Sequence, residues 1–301
     1  MIDLVTVNNH GMEVFQKGNN GIPVVILPGM GVSFDSWHDV CDSLSGTNRV
    51  IMIHRPGIGN SEVGFEERHI YQLTNELSEL LLKLKIDKKV ILVGHSYGGL
   101  CVQHFVKRFP EKVCGVVLVD ASSVDSYKLD ELELSFLEGQ TNESLIKEWL
   151  EKAEQSSEAL KDELMPELTD RQKKLPHDVQ QRLLEFGVKP DFYRALASEL
   201  KCWDEDAKMI KQLGTFHDLK LIVIGRDPTY QMEIAKAQNI PLEEMEKFES
   251  VWRELIMDQL KLSTQSEFVE AKGAGHSVHI DAPEVIALAV QKMNNLLQAF
   301  K

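Results

Sequence analysis

Basic side chains are in short supply in this sequence. Across 301 residues, 33 Lys and Arg stand against 47 Asp and Glu, a net charge of −14. Such a surface repels phosphate, so neither nucleic acid nor an anionic membrane is expected as a partner. Cysteine is sparse too. The four residues, Cys41, Cys101, Cys114 and Cys202, form no CxxC pair, which removes zinc knuckles and dithiol redox centres. Cys101 and Cys114 sit among apolar residues and read as small buried hydrophobes. No apolar run approaches the ~18 residues of a membrane span. The opening ten residues, MIDLVTVNNH, carry neither a basic nor an apolar leader region. A reduced, cytoplasmic protein is the expectation.

What is present is an alternation of short β-rich runs with helical patterns. The runs are Leu4–Asn8, Met12–Lys17, Pro23–Leu27, Arg49–Ile53, Lys89–Val93, Val113–Val119, Leu219–Ile224 and Glu267–Ala271. The first two, separated by His10-Gly11, read as an antiparallel hairpin. The others are nearly continuous apolar stretches, as expected of strands buried on both faces. Ile70, Leu73, Leu77, Leu80, Leu81 and Leu84 recur at helical spacing. Leu100–Phe109 reads as a helix stopped at Pro110, and Pro283–Phe300 as one opened by its proline. The fold class is therefore α/β, a mostly parallel sheet of about eight strands with helices on both faces.

Two stretches interrupt the alternation. Between Asp125 and Leu175 there are 14 acidic and 7 basic residues, so 7 − 14 places −7 of the net charge there. Its apolar residues fall at helical spacings. Residues 126–216 are expected to form a helical cap with its charges outward, inserted between two parts of a core, 1–125 and 217–301. A second helical stretch covers Met232–Leu262.

Three segments carry chemistry. Val93-Gly94-His95-Ser96-Tyr97-Gly98-Gly99 follows a strand, precedes a helix and fits G-x-S-x-G. A serine on so tight a turn has its hydroxyl pushed out beyond the sheet, beside the free N–H groups of a new helix. Leu27-Pro28-Gly29-Met30-Gly31 closes an earlier strand, and its glycines would let the Met30 amide approach closely. Gly273-Ala274-Gly275-His276 follows the last strand. A serine hydroxyl needs a base at neutral pH, and a histidine on a glycine-flanked loop can supply one. His279 follows three residues later, but with no third ligand patterned nearby it reads as structural.

With His54-Arg55-Pro56-Gly57-Ile58-Gly59-Asn60-Ser61 and Asp281-Ala282-Pro283, these segments resemble the α/β-hydrolase fold family, of the capped, lipase- and esterase-like kind. They stand in the family's order across nearly the whole chain outside the cap. Two positions depart from its pattern: Pro28 where a histidine is usual, and His54 where an aspartate is usual. The resemblance implies Ser96 as nucleophile, His276 as base and acid, and the Met30 and Tyr97 amides as oxyanion hole. His95 would be a structural histidine under the elbow. The triad acid has two candidates at adjacent strand ends, Asp120 and, as the alternative, Asp227. The family most often uses the later strand, but Gly225 and Asp227 are one residue too close and Pro228 holds the expected place, which tips the choice to Asp120. Asp281 reads as a helix cap.

The implied activity is cleavage of a small carboxylic ester or related acyl substrate through an acyl-enzyme, with no cofactor and no metal. Thioester, lactone and carbon–carbon bond substrates use the same triad. Because the elbow residue is serine, the carboxylate-nucleophile chemistry of dehalogenases and epoxide hydrolases is disfavoured. The competing reading is a small-molecule-sensing signalling protein on the same fold, with slow or no turnover.

Overall fold

The computed structural model describes residues 1–64 and 67–298. The strands are β1 (Ile2–Val7), β2 (His10–Lys17), β3 (Val24–Leu27), β4 (Val50–Ile53), β5 (Val90–His95), β6 (Val113–Val119), β7 (Lys220–Arg226) and β8 (Ser266–Ala271). They form one sheet in the order β1-β2-β4-β3-β5-β6-β7-β8. β1 and β2 pair antiparallel, as do β2 and β4, and every other pairing is parallel. The eight-stranded, mostly parallel α/β architecture is thus observed.

The hairpin differs from the sequence reading. Its turn lies at Asn8 and Asn9, with φ of 47° and 67°, and His10 and Gly11 belong to β2 opposite Val7 and Thr6. Two successive left-handed residues make the turn whose twist suits a hairpin, and asparagine tolerates that conformation.

The helices are α1 (His38–Ser45), α2 (Ile70–Lys83), α3 (Tyr97–Arg108), α4 (Tyr127–Asp130), α5 (Asn142–Ala153), α6 (Ser157–Leu164), α7 (His177–Phe186), α8 (Pro190–Gln212), α9 (Pro228–Ala237), α10 (Leu242–Asp258), α11 (Val278–Asp281) and α12 (Pro283–Gln298). The end of the expected last helix, at Phe300, lies outside the described residues. No helix among the described residues is long and apolar enough to cross a membrane.

Two apolar layers enclose the sheet. One gathers Leu73, Leu77, Leu100, Phe105 and Ile256 against one face; the other gathers Phe34, Trp37, Val40, Ile286 and Val290 against the opposite face. β3, β4 and β5 are wholly buried. Each such Val, Leu or Ile contributes about 1.5–3 kcal/mol by leaving water, which holds the strand ends rigid. Cys101 is buried; Cys114 is only half-buried, with its thiol 3.3 Å from the Val90 carbonyl. Helices α4 to α8 fall between β6 and β7, and their apolar residues form a small cluster of their own with Ile58, including Leu160, Phe192, Tyr193 and Leu196.

Candidate active site

β5 delivers Ser96 to the carboxyl edge of the sheet, where α3 begins. Ser96 adopts φ 51° and ψ −125°, a conformation that costs roughly 1–3 kcal/mol for a residue with a side chain. Neighbouring backbone holds it there. The Ser96 N–H donates to the Val119 carbonyl at 3.3 Å, while its own carbonyl accepts from Gly99 at 2.8 Å and Ser122 at 3.0 Å. Glycine is required at 98, since a Cβ there would stand 2.0 Å from the Leu27 carbonyl oxygen. Gly29 is confined less severely: a Cβ there would stand 3.1 Å from that of Ser96. The Pro28–Gly31 loop therefore lies directly against the serine. The Tyr97 N–H belongs to the first turn of α3, where no intrahelical acceptor exists.

That loop is held from behind by Arg55, which is 5% exposed. Its guanidinium donates to the Pro28 carbonyl at 2.9 Å and the Gly29 carbonyl at 3.2 Å, and grips both carboxylate oxygens of the buried Glu199 on α8 at 2.5 and 3.0 Å. Beside it, the His54 ring lies 2.7 Å from the Glu13 carboxylate through Nδ1 and accepts the Phe34 N–H at 3.1 Å through Nε2. Burial pushes the His54 pKa below its ordinary value even against Glu13. His54 thus braces the segment after the Gly29 loop.

His276 Nδ1 lies 2.7 Å from the Asp120 carboxylate. The ring's Nε2 is thereby left as its remaining acceptor. Asp120 is fully buried, with φ 39°, and its oxygens also accept from Trp252 Nε1 at 3.0 Å and the Arg226 N–H at 3.2 Å, with the Arg226 guanidinium at 3.5 Å. Burial alone would raise the Asp120 pKa. The bond to His276, the Arg226 charge and the Trp252 donor outweigh it and hold the carboxyl below its usual range, so the group stays ionised. Trp252 also meets the His276 ring edge to face, with centroids 5.5 Å apart.

Asp227 sits elsewhere. Its oxygens accept from the Thr229 and Gly273 N–H groups, both at 2.9 Å, so it caps α9 and tethers the loop that carries His276. Asp281, expected to cap a helix, instead accepts the Gly275 N–H at 2.9 Å and fixes the other side of that loop. Burial, with the neighbouring His276, drives the His95 pKa down to about 3, so its ring is neutral. Its Nε2 lies 2.9 Å from the His276 carbonyl and donates to it. His279 is buried and stacked on Trp37, centroids 4.6 Å apart, in a packing position.

Sequence reasoning overlooked Trp252, Arg226, Arg55 and Glu199. Trp252 reads as one more apolar residue on an amphipathic helix, and nothing in its spacing marks an indole N–H aimed at a carboxylate. Arg226 was legible only through its position beside a candidate acid. A cavity of about 200 Å³ opens beside Trp252, lined among others by Ala121, Ser122 and Trp203, with the exposed Asp130 and Asp204 at its rim.

Residues 22–223 match the family described as alpha/beta hydrolase fold, and the chain belongs to that family. Over 277 residues it is 24% identical to the uncharacterized protein YqjL of Bacillus subtilis (strain 168), covering 91% of this chain and 84% of that one. Among solved structures, it resembles the Cif epoxide hydrolase of Acinetobacter nosocomialis (TM-score 0.71, 12% identity, 97% of this chain and 88% of the other). It also resembles a thermophilic esterase from Thermogutta terrifontis (TM-score 0.66, 18% identity, 99% of both chains). At these identities the structural likeness speaks for the fold.

Proposed function

We propose that this protein is a serine hydrolase that cleaves a small carboxylic ester or related acyl substrate through an acyl-enzyme. The observation carrying this reading is the bond between His276 and the buried, ionised Asp120, together with a serine held in a strained elbow at the end of the neighbouring strand. In the proposed cycle, His276 Nε2 takes the Ser96 proton as Oγ attacks the substrate carbonyl. Asp120 fixes the tautomer that leaves Nε2 available and stabilises the imidazolium that forms. The N–H groups of Met30 and Tyr97 receive the oxyanion. His276 then protonates the departing alcohol, activates a water, and the acid product leaves as Ser96 is restored. In this reading residues 126–216 are a helical cap over a core made of 1–125 and 217–301, and the protein works in the cytoplasm.

Epoxide hydrolases share the fold, but their chemistry takes a carboxylate nucleophile, and here the elbow residue is Ser96. The test is labelling by a fluorophosphonate together with hydrolysis of a chain-length series of p-nitrophenyl esters. Wild type should label and turn over, and Ser96→Ala should do neither. Equal labelling of both proteins overturns the reading. Saturable ligand binding with turnover near the uncatalysed rate would instead favour a sensing protein.

A further inference from the structure

The cavity beside Trp252 has a division of chemistry. Its inner wall is Ala121, Ser122 and the indoles of Trp203 and Trp252. Two of these residues also contact the proposed reacting groups: the Ser122 N–H donates to the Ser96 carbonyl at 3.0 Å, and Trp252 touches both Asp120 and His276. Ser122 is 6% exposed, and its hydroxyl has no hydrogen-bond partner among the described residues, although its N–H and carbonyl are both engaged. Ser122 lines the cavity, where its hydroxyl is free to bond a ligand.

At the rim, Asp130 from α4 and Asp204 from α8 face the same opening, and neither has a cationic partner among the described residues. The nearby lysines are engaged elsewhere, Lys128 with Glu254 and Lys211 with Asp125. Partial burial, with Asp204 beside it, raises the Asp130 pKa, the mark of two carboxylates that no cation relieves.

Resting on the serine-hydrolase reading, we propose that this cavity receives the part of the substrate that carries a positive charge, so that the substrate class is an ester bearing a protonated amine or quaternary ammonium. The indoles offer π surface to an alkylammonium group, the two rim carboxylates supply opposite charge, and the Ser122 hydroxyl meets a polar atom near the scissile bond. The net charge of −14 draws such a substrate in.

The probes are choline and its uncharged isostere 3,3-dimethylbutanol, compared as competitive inhibitors of p-nitrophenyl acetate hydrolysis and, separately, as quenchers of tryptophan fluorescence. Choline should act at about tenfold lower concentration than the isostere, given two carboxylates and aromatic contact. In the double variant Asp130→Asn/Asp204→Asn that ratio should fall to about twofold or less by the same arithmetic. The control Asp162→Asn/Glu167→Gln removes the same charge from exposed sites away from the cavity and should keep the wild-type ratio. Equal action of choline and the isostere on wild type, or an equal loss of preference in the control, overturns the proposal. Fluorescence quenching by choline in a protein that neither labels with fluorophosphonate nor hydrolyses the ester keeps the cation site and refutes the hydrolase reading instead.

Discussion

The ends of β6 and β7 lie side by side, each followed by an aspartate, and the two carboxylates have opposite fates. Asp120 is sealed under α10, where it accepts from Trp252 and Arg226 and meets His276 Nδ1. Asp227 stands one strand further along and spends both oxygens on backbone N–H groups. On the proposed reading, the family's usual preference for the later strand gives way here to a one-residue difference. Pro228 starts α9 immediately after Asp227, which turns that carboxylate into an N-cap. The lesson is that what surrounds a carboxylate, more than the strand it follows, decides its partners: one sits in a dry pocket with an indole, a guanidinium and an imidazole, the other at a helix start.

Several outcomes, the last of them in acid, would break or sharpen this contrast. In the proposed reaction, Asp120→Asn should lower kcat by about 10⁴-fold with protein still folded, because the amide presents the wrong partner to Nδ1. Asp227→Asn should change kcat by less than about threefold, since the proposed chemistry does not touch it; steady-state kinetics on both variants reads the pair, and a reversed order would exchange their roles. Trp252→Phe keeps the ring but removes a donor to a buried charge, so it should cost about 2 kcal/mol of stability by urea denaturation and lower kcat far less than Asp120→Asn. Asp227→Ala should cost about 1 kcal/mol through the lost cap and loosen the 273–276 loop, seen as faster amide exchange there.

The last outcome concerns acid. Because the Asp120 carboxyl is depressed below its ordinary 3.8, the unfolded chain binds its proton more readily than the folded one. The stability it contributes is fully present above 3.8 and disappears as the pH falls through the lower folded value. The urea midpoint of wild type relative to Asp120→Asn should therefore hold level at neutral pH and fall below about pH 4.

Much of this was written in the sequence. Unbroken apolar runs such as Val113–Val119 can only be strands buried on both faces, and the strand–Gly-x-Ser-x-Gly–helix grammar locates the elbow because no other backbone fits there. The hairpin turn was misplaced by two residues because glycine drew attention from Asn8 and Asn9, whose left-handed backbone is a property of the pair. The surroundings of Asp120 were illegible for a different reason. Trp252 lies 132 residues away from it along the chain, so its contact exists only once α10 has docked.

Arg55 ties two distant parts of the molecule together. One guanidinium holds the two carbonyls flanking the Pro28–Gly29 peptide and, at the same time, a carboxylate on α8. A swing of α8 away from the sheet would strand Glu199 and Arg55 as bare ions in an apolar interior, so the peptide beside Ser96 must travel with it or the helix must stay. One guanidinium thus makes the peptide beside Ser96 and the middle of α8 a single mechanical unit.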